Sequence, residues 1–245
     1  MKTFTEHINM LFEKGRLYIQ TMDHSHISIF ELILPSEWFD LYEHKCDASF
    51  KLGINSSILY KVLNSRDKTQ QINIVYNENN EDILEIHFTP ISETIHAEFD
   101  KHFEISLLNI DNEIMDIPII EYQAEITIAS FNFANMINQL KMFSDNLDLI
   151  CSEEKIVLYS NSLEQGKMFV EIKIDDLSSF IIDEGKTINM SFSLTQIHNI
   201  CLYNKMSKEV DVKFKDNYPM KLIYNLVGHP DAQIRFYLAP KINEN

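Results

Sequence analysis

The residues most capable of chemistry stand together behind an alternating segment: Asp23, His24, Ser25 and His26. On a continuing strand His24 and His26 share one face, a spacing that can ligate a metal ion for hydrolysis, with Asp23 beside them. Such a site needs a third ligand and an ordered surround, and no HExxH or GxSxG accompanies it. Strand histidines without a second motif more often serve packing or a binding surface. Gly228-His229-Pro230-Asp231 reads as a turn. Cys46, Cys151 and Cys201 lie far apart with no CxxC pair, as expected of reduced thiols in an intracellular protein. Five glycines and six prolines leave little room for phosphate loops or disordered linkers. The expectation is a chain with no catalytic residues, no metal and no cofactor.

The elements that must position these residues alternate for the most part with period two, as half-buried strands do. Gln71–Tyr76, Asp82–Phe88 and Glu209–Phe214 are clear cases. Three segments take helical spacing instead: Asn55–Ser65, Ser130–Phe143 and Ser193–Lys205, each with Ser or Asn near its start as a candidate N-cap. After each comes the same sequel of strand, turn and strand: Gln71–Tyr76 with Asp82–Phe88, Leu147–Cys151 with Ile156–Ser160, and Glu209–Phe214 with Met220–Leu226. A fourth such hairpin, His7–Phe12 with Arg16–Met22, opens the chain without its helix. Helix–strand–strand units in this number imply two similar domains. Their expected bounds are 1–108 and 123–245, joined by the acidic, Pro118-containing connector 109–122. With 45% hydrophobic residues, 245 residues suffice for a packed core, and no run is long enough to span a bilayer.

A net charge of −16 argues against nucleic acid as a partner if only the sum is considered. Its distribution argues otherwise. Even spreading of the 37 carboxylates would put about six in the three helical segments, which contain none. Their charges are Lys61, Lys141 and Lys205. Carboxylates excluded from every helix suggest one shared surface that must not repel an anion, with the acidic load on the opposite side.

Helices inside, sheets outside and a long connector match a known family. Met22-Asp23-His24-Ser25-His26-Ile27, Ser36-Glu37-Trp38-Phe39-Asp40, Met115-Asp116-Ile117-Pro118 with Tyr122, and Phe236-Tyr237-Leu238-Ala239-Pro240-Lys241-Ile242 occur in the order in which the proliferating cell nuclear antigen family carries similar motifs. The chain resembles that family over nearly its whole length. The resemblance implies an α+β DNA clamp fold, with outer antiparallel sheets and inner helices, closing as a homotrimeric ring around duplex DNA. It implies no enzyme activity, and a place in the nucleus or at a viral replication site. Partners would be DNA polymerase, flap endonuclease, DNA ligase and clamp loader, tethered through a hydrophobic pocket under the connector. Carried over by position, that pocket is Met22, His26, Ile27, Ile29, Met115, Ile117, Pro118, Tyr122, Pro219, Tyr237, Leu238, Ala239, Pro240 and Ile242. Lys61, Lys141 and Lys205 would face DNA. The trimer would join Lys101–Leu107 to Lys167–Ile172, through Phe103, Ile105, Leu107, Met168 and Val170.

Two departures from the family pattern matter. The sequence begins after the family's first strand and helix, so a ring would be lined by nine helices rather than twelve. Asn64, Asn135, Asn138 and Thr195 stand where the family places basic residues, which implies weaker contact with the duplex. A clamp-fold binding module that does not encircle DNA is the alternative kept open by both departures.

Overall fold

The computed structural model describes residues 4–91, 99–111 and 113–241. The first domain runs β1 (His7–Glu13), β2 (Arg16–Met22), β3 (Ser28–Pro35), β4 (Phe50–Asn55), α1 (Ser56–Asn64), β5 (Gln70–Tyr76), β6 (Ile83–Pro90) and β7 (Lys101–Ser106). The second runs β8 (Ala124–Ala129), α2 (Ser130–Leu140), β9 (Asn146–Cys151), β10 (Lys155–Ser162), β11 (Gly166–Lys173), β12 (Ser179–Ile182), β13 (Ile188–Ser193), α3 (Leu194–Cys201), β14 (Glu209–Phe214), β15 (Met220–Asn225) and β16 (Gln233–Leu238). The expected hairpins β1/β2, β5/β6, β9/β10 and β14/β15 all form and are antiparallel.

Alternation fixes the strands. In β6, Leu84, Ile86 and Phe88 are fully buried; in β14, so are Val210, Val212 and Phe214. Asn55 caps α1 by accepting from the N–H groups of Ser57 and Ile58, and Ser193 caps α3 by accepting from that of Gln196. The second helix departs from expectation. Ala129 stands at its cap position, and Ser130 is its first helical residue, buried and with its hydroxyl unpaired. The first helix fills its expected segment, whereas α2 and α3 stop at Leu140 and Cys201, short of Phe143 and Lys205, and the chain runs on through tighter turns such as Phe143 N–H to Leu140 O and Tyr203 N–H to Ile200 O.

Among the described residues the strands form three sheets. One of nine strands has the order β12-β8-β14-β15-β16-β3-β2-β1-β4; the others are β11-β10-β9-β13 and β5-β6-β7. The nine-stranded sheet crosses from one domain to the other where β16 pairs antiparallel with β3, from Gln233 opposite Ile33 to Leu238 opposite Ser28. That joint recurs in outline. In the first domain β1, β2, β3, β4, α1, β5, β6 and β7 follow one another as β9, β10, β11, β13, α3, β14, β15 and β16 do in the second. Matching strand registers and buried positions sets Asn55 against Ser193, Ile74 against Val212 and Phe103 against Phe236.

The helices and the connector lie on opposite faces. Phe30 and Phe236 pack at a tilt against the ring of Tyr203, just beyond α3. Their strand neighbours Ile29 and Tyr237 alternate to the other face.

Candidate functional site

The connector crosses that other face from β4 towards β15, pinned at successive strands. Leu108 donates its N–H to Gly53 O on β4. A Cβ at Gly53 would stand 2.1 Å from Leu108 O, so only glycine admits the crossing. On β1 the Asn9 amide donates to Ile110 O at 3.3 Å. On β2 the Gln20 side chain grips Met115 twice, donating to its carbonyl at 2.9 Å and accepting from its N–H at 2.7 Å. Gln20 thereby acts as a neighbouring strand would, holding an otherwise unpaired segment in register.

Beyond Gln20 the connector arches over a cavity of about 420 Å³, walled by Met115, Ile117, Pro118 and Tyr122 and floored by Tyr18, Glu31, Lys221, Arg235 and Tyr237. The floor is a polar network. Glu31 is buried and accepts hydrogen bonds from the Tyr18 and Tyr237 hydroxyls, the latter at 2.9 Å. Burial, reinforced by the Glu31 charge, pushes both phenols up, so they remain donors at neutral pH. Lys221 lies 5.3 Å from the Tyr237 ring centroid, and Arg16 lies 4.8 Å from that of Tyr18. Burial, with Arg235 and Lys213 nearby, lowers the Lys221 ammonium to about 8.

Strand register builds an apolar row beside the network. Met22 faces Ile29, Ile29 faces Tyr237, and Tyr237 faces Lys221. The Ala239 N–H donates to Ile27 O, extending the β16–β3 pairing by one step. His26 places its ring nitrogen 3.4 Å from the Met22 sulfur. The structure thus gathers Met22, His26, Ile27, Ile29, Tyr237 and Ala239 at one end of this face, with Pro240 half-buried after Ala239; Pro219 is half-buried just before β15. Leu238 differs. It is fully buried and points into the core, because strand alternation puts it opposite to Tyr237. Ile242 lies outside the described residues.

The proposed hydrolytic triad is not assembled. β2 stops at Met22, and His24 and His26 fall in an exposed turn, His26 with a φ of 57°. The carboxylate of Asp23 is spent on that turn. It accepts from the N–H groups of Ser25, Ile27 and Ser28, from the Ser25 hydroxyl, and from the Gln196 amide of α3. Burial alone would raise this acid; the Ser25 and backbone hydrogen bonds outweigh it and hold it below the ordinary carboxylate range.

Sequence reasoning missed the network under the connector. Its signal is Glu31, a lone carboxylate in the apolar run Ile29–Pro35, on the same side of the sheet as Tyr18 and Gln20.

Residues 1–114 match Proliferating cell nuclear antigen, N-terminal domain, and residues 116–242 match Proliferating cell nuclear antigen, C-terminal domain. The chain belongs to the proliferating cell nuclear antigen family. It is similar to "Proliferating cell nuclear antigen" of Chaetomium thermophilum, 26% identical over 250 residues, which cover 100% of this chain and 93% of that protein. It is also similar to "Proliferating cell nuclear antigen 2" of Drosophila melanogaster, 26% identical over 228 residues, 93% of this chain and 86% of the fly protein.

Other residues singled out by the family resemblance lie on the helical face and at the sheet edges. No residue of α1, α2 or α3 is acidic. Lys61 is exposed on α1, whereas Lys141 caps the end of α2 and Lys205 stands in the turn after α3. Asp145 sits close by, accepting from the Thr195 hydroxyl at 2.9 Å, so carboxylates border the helices without entering them. Phe103 on β7 and Met168 and Val170 on β11 are half-buried at sheet edges. Ile105 is already sealed in its own domain, and Leu107 lies past the end of β7, its N–H bonded to Asp82 O.

Proposed function

We propose that this chain is a DNA sliding clamp, three copies of which join edge to edge around duplex DNA and tether replication and repair enzymes beneath the connector. It performs no chemistry of its own.

One observation carries the reading: the join between β16 and β3 has an unused counterpart. The repeat-equivalents of β16 and β3 are β7 and β11, and both are sheet edges among the described residues. Applying the β16–β3 register to them sets Phe103 of one copy opposite Met168 of the next. Both side chains lie on the core side of their strands and are half-buried for want of a neighbour. Pairing removes two open edges and repeats at the subunit boundary what the chain already does internally. The acid-free helices would then line the hole, letting duplex pass without repulsion, and the −16 charge would sit mostly on the outside.

The cavity and apolar row suit short peptides of the form Gln-x-x-aliphatic-x-x-aromatic-aromatic, whose anchors would enter between Ile117, Pro118 and Tyr237. DNA would be held by topology rather than grip, so binding to short linear duplex should be weak and salt-sensitive, with about −0.9 of salt slope per neutralised phosphate.

The test is the half-life of loaded protein on nicked circular DNA before and after cutting the circle. A long half-life on circles that collapses on linearisation is expected. Equal half-lives would mean that the protein binds DNA by its surface or not as a ring, and would overturn the proposal.

A further inference from the structure

The floor of the connector cavity holds positive charge that the chain itself leaves unanswered. Of the cations on and around it, Arg16 pairs with Glu13, and Lys213 pairs with Glu125 at 2.7 Å. Lys221 and Arg235 have no such partner. Among the described residues the Lys221 ammonium meets no hydrogen-bond acceptor, only the ring of Tyr237. Arg235 commits its Nε to the Gln233 side chain at 2.8 Å, and its terminal nitrogens meet no acceptor among those residues. Both side chains are half-buried. Glu31 stands opposite Arg235 in the β16–β3 register, but its two oxygens are taken, one by the Tyr18 hydroxyl and one by that of Tyr237. Asp116, the other carboxylate of the lining, is exposed on the arch and enters no ion pair among the described residues.

We propose that Lys221 and Arg235 form a carboxylate-binding subsite beneath the connector, which selects partner peptides carrying an acidic residue beside their apolar anchors. The inference rests on the peptide-docking reading above and names what that site prefers.

A half-buried cation has lost part of its hydration, and without an anion nothing offsets that loss. Two such cations at the floor of one cavity supply an ammonium and a guanidinium fork to the same ligand. A peptide suits the site better than a free anion, because the floor runs directly into the apolar row. Tyr237 belongs to both, and Lys221 lies 5.3 Å from its ring centroid. An anchor seated against Tyr237 therefore brings a neighbouring side chain of the same peptide to Lys221.

Binding of this kind is linked to protons. Burial, with Arg235 and Lys213 nearby, holds Lys221 at about 8 against the opposing pull of Glu31 and Glu125. The phenols around it, Tyr18, Tyr122 and Tyr237, are all pushed up and keep their protons through that range. A bound carboxylate favours the charged ammonium and raises Lys221. The preference for an acid is thus full at pH 7 and fades above about pH 8, where Lys221 of the free protein loses its proton.

The test uses the full chain and synthetic peptides of the form Gln-x-x-aliphatic-x-x-aromatic-aromatic with alanine at the variable positions. Glu, and separately Gln, replaces each variable alanine in turn, and affinities are measured by calorimetry. At pH 7 at least one Glu peptide should bind about tenfold more tightly than its Gln twin. Lys221→Met should bring that ratio to about one, and Lys221→Arg should retain most of it. Near pH 8 the Glu peptide alone should take up protons, read from heats in buffers of different ionisation enthalpy. That uptake is measured on the unaltered protein, so it tests Lys221 even if methionine there disturbs folding. Equal affinities of the Glu and Gln peptides at every position would overturn the inference and leave the docking reading intact. So would a preference that Lys221→Met does not change, or a tighter Glu peptide that takes up no protons. If neither form binds at about 100 μM, the docking reading itself fails and the inference falls with it.

Discussion

Val212 and Ile74 occupy the same position in two versions of one repeat, on the core side of the strand that follows a helix. Val212 is sealed by β8 and α2; Ile74 is 38% exposed because nothing described lies beyond β5. Both strands alternate, and both carry β-branched residues on the correct side. Burial is therefore decided by the neighbour and not by the strand's own pattern. The same contrast holds at the joints. β3 is paired by β16, whereas its counterpart β11 is an edge. Repeats built alike can differ entirely in which of their surfaces remain available.

The largest expected effect concerns those edges. If β7 and β11 of successive copies pair as β16 and β3 do, Phe103→Asp or Met168→Asp places a carboxylate in a closing apolar seam. Either change should convert the ring to single chains at micromolar concentration, about a threefold fall in mass by light scattering. Both residues are half-buried at an edge, so the monomer should keep its melting behaviour. A wild-type protein that is already monomeric would show that the internal joint is not repeated.

Much of this arrangement is legible in the sequence. The alternation of Glu209–Phe214 and the helical spacing around Phe133, Ile137 and Leu140 survive folding because each reports a face that really is buried. Four hairpins and three helices follow from those patterns. What fails to be legible depends on partners distant in sequence. Leu238 belongs to the core and Tyr237 to the outer face, a choice set by register against Met220 and Ser28. Gln20 clamps Met115 from 95 positions away. His24 and His26 look like strand residues until the Asp23 carboxylate claims the N–H groups of Ser25, Ile27 and Ser28.

A smaller effect sharpens the contrast between covered and uncovered strands. Val212→Ala should cost about 2 kcal/mol, since the space it vacates is enclosed on all sides. Ile74→Ala removes more carbon yet should cost under about 1 kcal/mol, because part of that side chain is already in water. Urea unfolding of both variants measures the difference. Equal losses would mean that β5 is covered in solution after all.

A further difference lies in the turns that follow β2 and β10. The first is closed by Asp23, buried and bonded to three backbone N–H groups. The second is closed by the Ser162 hydroxyl, which receives the Glu164 and Gln165 N–H groups at 3.3 and 3.4 Å at the surface. Asp23→Asn keeps one acceptor oxygen but turns an amide group towards donors that a carboxylate satisfied, a loss of about 1–3 kcal/mol. Ser162→Ala exposes its N–H groups to water, at a cost of about 0.5 kcal/mol. The two losses differ in their response to acid. The Asp23 carboxyl is held below its ordinary value in the fold, so the unfolded chain takes up the extra proton. Its contribution is complete above the unfolded carboxylate range near about 4, and it disappears as pH falls through the lower folded value. The gap between wild type and Asp23→Asn should therefore be constant at neutral pH and shrink below about pH 4, while the Ser162→Ala gap should not change. Melting curves at pH 7 and in mild acid give both numbers. A gap at Asp23 that stays constant in acid would mean the turn is held by its shape and not by the charge of its carboxylate.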